Sequence, residues 1–162
     1  MKRDASIISL FFMGLSIFSV AGIYSGGSGE PTSPYQISTI EDWQELTLSP
    51  GDWGKQFVLT NDIDFAGLSF VPIAPDTDSL LDGFQGTPFT GNFNGQGCVL
   101  RNAVIDLPSQ DFVGLFGELG AGGQLLNLGV ETVSVTGLSR VGGLCGRNNG
   151  GWIGTCFTSG SV

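Results

Sequence analysis

The sequence predicts an all-β protein, a parallel β-helix covered at its N-terminal end by a single helix. Three observations predict it. Glycine makes up 27 of 162 residues, more than twice the usual share of about 7%, which calls for many tight turns. Hydrophobic residues reach 41% while charged residues stop at 13%, so short buried strands separated by turns are favoured over solvated helices. A pattern of short apolar runs broken by Gly and Asn returns with a period in the mid-twenties, the length of one coil of a β-solenoid.

The elements follow in order. Residues 1–21 read as a secretory signal peptide: Lys2 and Arg3 open it, an apolar run follows, and Ser19-Val20-Ala21 supplies small residues for cleavage. Residues 22–34, with Gly-Gly-Ser-Gly-Glu-Pro-Thr-Ser-Pro at 26–34, have the composition of a linker. Residues 35–88 are expected to hold the N-terminal cap and the first strands. Tyr35-Gln36-Ile37 reads as a strand. Thr39-Ile40-Glu41-Asp42 resembles a capping box with Asp in place of Glu, and Ile40, Trp43 and Leu46 share one helical face until Pro50-Gly51 ends the helix. Such a helix can shield the open end of a stack of strands. Phe57-Val58-Leu59 and Phe70-Val71-Pro72-Ile73 read as strands, and residues 75–87 as a loop.

Residues 89–162 carry the repeat. Cys98–Asp106, Gly123–Glu131 and Gly151–Ser159 align, placing Leu100, Leu125 and Ile153 in one inward ladder and Asn102, Asn127 and Thr155 at one turn, where the two asparagines would stack. Val113-Gly114-Leu115-Phe116-Gly117 aligns with Gly142-Gly143-Leu144-Cys145-Gly146, which makes Phe116 and Cys145 rungs of a second ladder. The third coil starts near Cys145 or Gly151 and would not close before Val162, so the expectation is a fragment of a longer protein.

Gly114-Leu115-Phe116-Gly117 and Gly143-Leu144-Cys145-Gly146 resemble the GLUG motif, Gly-Leu-hydrophobic-Gly. Phe93-Asn94-Gly95-Gln96-Gly97 and Asp62-Ile63-Asp64 fit the same context, and the resemblance covers roughly residues 34–162. It implies a right-handed parallel β-helix in a secreted or surface-attached, adhesin-like protein, and it implies no conserved chemistry. Cys145 in the second motif and Thr155 in place of Asn depart from the pattern.

Function classes are bounded by what is missing and by charge. The formal charge of −9 and the absence of a basic stripe exclude a nucleic-acid partner, and they disfavour any membrane contact beyond the signal peptide. The sequence contains no His, which removes Ser-His-Asp and Cys-His catalysis and His-ligated zinc. Cys98, Cys145 and Cys156 have no CxxC spacing and read as small apolar residues. Asp62 and Asp64 share a strand face at a separation near that of an inverting glycosidase, yet they read more simply as a solvated strand edge. Asp106 and Glu131 align on the repeat as surface charge. Lys55, Arg101, Arg140 and Arg147 form no evident cluster. Asp76, Asp78 and Asp82 sit in one loop that could hold calcium, but the EF-hand frame is absent. Trp43 reads as helix core, and Trp53 and Trp152 remain open to sugar stacking. The expectation is therefore a non-catalytic, adhesive or structural segment with no catalytic, metal or cofactor residues. Its ligand would be extracellular, a polysaccharide or a neighbouring surface. The alternative is a carbohydrate-active enzyme or carbohydrate-binding module.

Overall fold

A computed structural model describes residues 24–162, so the expected signal peptide lies outside the described residues. In chain order the elements are β1 (Tyr35–Ile37), α1 (Ile40–Leu48), β2 (Gln56–Leu59), β3 (Ile63–Asp64), β4 (Asn92–Asn94), β5 (Val99–Arg101), β6 (Val104–Asp106) and β7 (Asp111–Val113). They continue with β8 (Phe116–Leu119), β9 (Gln124–Leu126), β10 (Gly129–Thr136), β11 (Ser139–Val141), β12 (Cys145–Asn148), β13 (Trp152–Gly154) and β14 (Phe157–Ser161). The fold class is all-β, as the composition led us to expect.

Every pairing between these strands is parallel. One sheet runs β1-β2-β4-β9-β13 and a second β14-β10-β5-β3, with β6 beside the later half of β10. Two further pairs, β7 with β11 and β8 with β12, complete the set. Parallel neighbours cannot be joined by a hairpin. Here the chain leaves one sheet, visits the others and returns alongside itself. Phe57 lies beside Phe93, Phe93 beside Leu125, and Leu125 beside Ile153. The returns are unequal in length because the loop at 75–87 is inserted between β2 and β4.

Strand alternation sends one residue inward and the next outward. Phe93, Leu100, Ile105 and Leu125 are fully buried, each flanked by partly exposed or exposed neighbours. The interior is rich in aromatic rings: Phe57, Phe89, Phe93 and Phe116 lie with centroids 5.1–6.3 Å apart.

The expected ladder of Leu100, Leu125 and Ile153 is corrected. Leu125 and Ile153 are neighbours, but Leu100 belongs to the other sheet, beside Ile63 and Val130. Asn102 and Asn127 likewise do not stack on each other. Asn127 donates from Nδ2 to Asn94 Oδ1 at 3.1 Å, and Asn102 donates to Asp64 Oδ1 at 2.8 Å. The cause is local: Asn102 (φ 58°) and Asn127 (φ 51°) occupy left-handed corners of the same kind after different strands. Asn tolerates that conformation, so two different corners have the same sequence signature. Thr155 (φ 54°) does share its corner with Asn127, whose N–H donates to the carbonyl of Gly154. Phe116 and Cys145 are neighbours as expected.

The helix forms where the capping pattern placed it. Thr39 Oγ1 accepts from the Asp42 N–H at 3.2 Å, and Asp42 Oδ2 accepts from the Thr39 N–H at 3.1 Å. Asp42 Oδ2 also accepts from Ser38 N–H and Ser25 Oγ, so one carboxylate satisfies the helix start and anchors the preceding segment. Trp43 is fully buried, edge-on to Phe65, Phe70, Phe93 and Phe116, at 5.7–6.3 Å. Trp53 is buried too and donates to the carbonyl of Leu46 at 2.8 Å.

The expected linker is also corrected for its described part. From Tyr24 onward it folds back on β1: Gly26 bridges Gln36, and Tyr24 packs on Tyr35 and Phe57. Its glycines serve turn geometry rather than flexibility. Gly27 has φ 86°, and a side chain there would meet the Pro34 carbonyl oxygen at 1.9 Å.

Candidate functional site

The outward carboxylates are mostly engaged. Asp62 accepts from Arg101 Nη1 at 2.7 Å and from the Val99 N–H at 2.8 Å. The Arg101 hydrogen bond holds its carboxyl below the ordinary value of 3.8. Asp64 accepts from Asn102 Nδ2 and the Ala66 N–H, both at 2.8 Å, and is likewise lowered, chiefly by Asn102. A glycosidase pair needs one carboxyl with a raised pKa to act as general acid. Neither Asp62 nor Asp64 supplies it. Arg101 also reaches Glu131 Oε2 at 3.0 Å, so one guanidinium ties together three successive passes of the chain.

Glu131 therefore sits opposite Arg101, and Asp106 sits opposite Thr136. The expected Asp106–Glu131 alignment fails for the same reason as the Leu100 ladder. In the loop, Asp76 is buried and its carboxylate accepts from the Gln85 N–H at 2.7 Å and from Ser79 Oγ at 3.3 Å. Asp78 closes a local turn onto the Leu80 N–H. Asp76, Asp78 and Asp82 are not gathered, and no group of three potential metal ligands occurs among the described residues.

Two bases do come together, contrary to the sequence expectation. Arg140 and Arg147 both stand 4.7 Å from the ring centre of Phe112. Asp111 pairs with Arg140 at 3.2 Å. Glu118, only 3% exposed, accepts from Arg147 Nε at 2.6 Å and from Asn149 Nδ2 at 3.2 Å. Phe84 of the loop packs edge-on against Phe112 at 5.4 Å. This is an internally compensated knot that fastens the loop to β7, β8 and β12. The three thiols are free, half-buried and separate. Burial pushes the Cys145 thiol up to about 11 and raises Cys98 as well.

An outward groove of about 480 Å³ lies elsewhere, where three successive corners meet. It is lined by Asn94, Gln96 and Gly97 from one pass, Asn127, Leu128 and Gly129 from the next, and Thr155 and Phe157 from the third. The strand register explains the gathering: Asn94 pairs with Leu126 and Leu126 with Gly154, so the residues that follow them stack. Asn94 Oδ1 accepts from both Asn127 Nδ2 and the Gln96 N–H, which fixes its orientation. The Phe157 ring lies over Gly129, where a side chain would stand 2.6 Å from it. Phe157 is 53% exposed, and no charged side chain lines the groove. It is not legible in the sequence because its residues lie about thirty positions apart. The signal available was the polar residue at each corner, Asn94, Asn127 and Thr155.

Comparison with known proteins adds two relatives. The chain is 36% identical over 141 residues to Halomucin of Haloquadratum walsbyi, a match covering 82% of this chain and 2% of that protein. It is 29% identical over 154 residues to a protein of Evansella cellulosilytica described as a Gly-rich membrane protein, covering 90% of this chain and 17% of that protein. The chain thus spans a small part of either relative. No family model and no solved structure matches it. No helix among the described residues is long and apolar enough to cross a membrane.

Proposed function

We propose that this chain is a non-catalytic segment of an extracellular or cell-surface β-solenoid, adhesive or structural in role, built from GLUG-type repeats. The carrying observation is the fate of the outward polar groups: Arg101 joins Asp62 and Glu131 across passes, and Asn127 joins Asn94. These side chains hold neighbouring coils together. The solenoid reading draws further support from the uniformly parallel pairing and the buried aromatic interior. Its right hand follows from the twist rule for parallel crossovers. The helix around Trp43 would be its N-terminal cap. The name of the Gly-rich relative supports a place at a membrane or outside it.

The experiment has two arms. Purified protein is incubated with soluble polysaccharides and the release of reducing ends is followed. Intact cells producing the protein are labelled with antibody. No release, together with labelling of intact cells, is expected. Cleavage of any polysaccharide, or labelling only after lysis, refutes the proposal.

A further inference from the structure

We infer that the corner groove is a binding site for an uncharged oligosaccharide chain. The inference builds on the non-catalytic surface reading and names its ligand class. A pyranose offers an apolar C–H face and a rim of hydroxyls that both donate and accept. The groove offers the complement. Phe157 presents an exposed aromatic ring as one wall. The other wall is amide and hydroxyl. Asn127 Oδ1, the Gln96 side-chain amide and the Thr155 hydroxyl have no protein partner among the described residues. Carboxamides suit this use because each offers two donors and an acceptor without charge.

The charge pattern narrows the class. In a chain of net charge −9, a lining without charge neither attracts an acidic sugar nor repels a neutral one. Size and shape agree: about 480 Å³ lies within the range of small-molecule sites, and the groove runs across three passes rather than into the core. Asn94 is pre-oriented by its two hydrogen bonds, and Phe157 is seated on Gly129. Little ordering is left for the ligand to impose. Trp152 adds a second exposed ring near one end. It is 66% exposed, and its Nε1 stands 2.7 Å from where a side chain on Gly154, the residue before Thr155, would project.

The full chain is titrated by calorimetry with neutral hexasaccharides of glucose, mannose and xylose, and with hexagalacturonate as the charged comparison. Binding of at least one neutral chain is expected, with hexagalacturonate weaker. Two variants address the site. Phe157→Ala removes an exposed ring at the edge of the fold. Asn127→Gly removes the amide while keeping a residue suited to φ 51°. Each should weaken binding at least tenfold with an unchanged circular dichroism spectrum. If Phe157→Ala does not fold, Gln96→Ala, an exposed side chain, replaces it. No binding by any neutral chain, preference for hexagalacturonate, or full affinity in folded variants overturns the inference. Binding followed by cleavage would leave the site standing and overturn the non-catalytic reading instead.

Discussion

Leu125→Ala and Leu126→Ala differ by one residue and should differ threefold in cost. Leu125 is fully buried between Phe93 and Ile153 in the first sheet. Leu→Ala at such sites costs about 2–5 kcal/mol, more where the surroundings cannot close the void. The Phe93 side is rigid, but Ile153 is 38% exposed and can settle inward, which favours the lower half of that range, about 3 kcal/mol. Leu126 points outward and is half-buried, its Cδ2 lying against Gly154. Its truncation should cost about 1 kcal/mol. At about 2–4 °C per kcal/mol for a chain of this size, the melting temperatures should fall by about 6–12 °C and about 2–4 °C. Aspartate sharpens the contrast: Leu125→Asp places a charge inside the stack and should abolish folding, while Leu126→Asp should be tolerated. Urea melts with matched m-values provide the assay. Equal shifts for the two positions would refute the assigned alternation.

Three further outcomes are expected. Thr39→Ala should cost about 1 kcal/mol by removing one half of the capping box, and Asp42→Ala more, since its Oδ2 accepts three hydrogen bonds; urea midpoints read both. Asp62 and Asp64 have folded pKa values below 3.8, so their contribution is present above that pH and lost as pH falls through the lower folded values. Midpoints should hold from neutrality to about pH 4.5 and then drop, less so in Arg101→Gln; a profile rising toward acid would contradict the pairing. With its thiol at about 11, Cys145 should alkylate at pH 8 about a hundredfold more slowly than it does in urea, as mass spectrometry of the labelled peptides would register.

What the sequence disclosed and what it hid divide along a physical line. Signals contained within one element were legible. The capping box, the inward face of Ile40, Trp43 and Leu46, and the all-β class depend on neighbours a few residues away. The pairing of Phe116 with Cys145 was legible too, because the Gly-Leu-x-Gly pattern marks only that corner. The second and third aligned segments were placed in register too, Leu125 beside Ile153, but the first was not. Left-handed corners follow several strands of the same pass, and Leu-x-Asn describes more than one of them. The groove was hidden by the same fact, since it exists only once Asn94, Asn127 and Thr155 are stacked correctly. The Phe112 knot was hidden because an arginine's partner is decided by the return of the chain, not by spacing.

The left-handed corners themselves carry the last step. Asn accepts that conformation at small cost, but Thr132, Arg140 and Thr155 also adopt it, with φ of 55°, 53° and 54°. For a β-branched residue the conformation is rarely occupied and costs roughly 1–2 kcal/mol. Glycine would remove that cost, and glycine is abundant in this chain. At buried Phe112 and Ala74, with φ of 57° and 53°, core packing accounts for the side chain; an exposed polar side chain there calls for a use outside the core. At Arg140 the use is visible in its stacking on Phe112 and its pairing with Asp111. At Thr132 the backbone N–H donates to Ser159 Oγ of the next pass at 3.3 Å, and the exposed side chain makes no hydrogen bond among the described residues. At Thr155 the side chain likewise has no protein partner among the described residues, and this residue, unlike Thr132, lines the groove. Backbone strain at a residue that also lines a groove is the pattern expected of a ligand-facing residue.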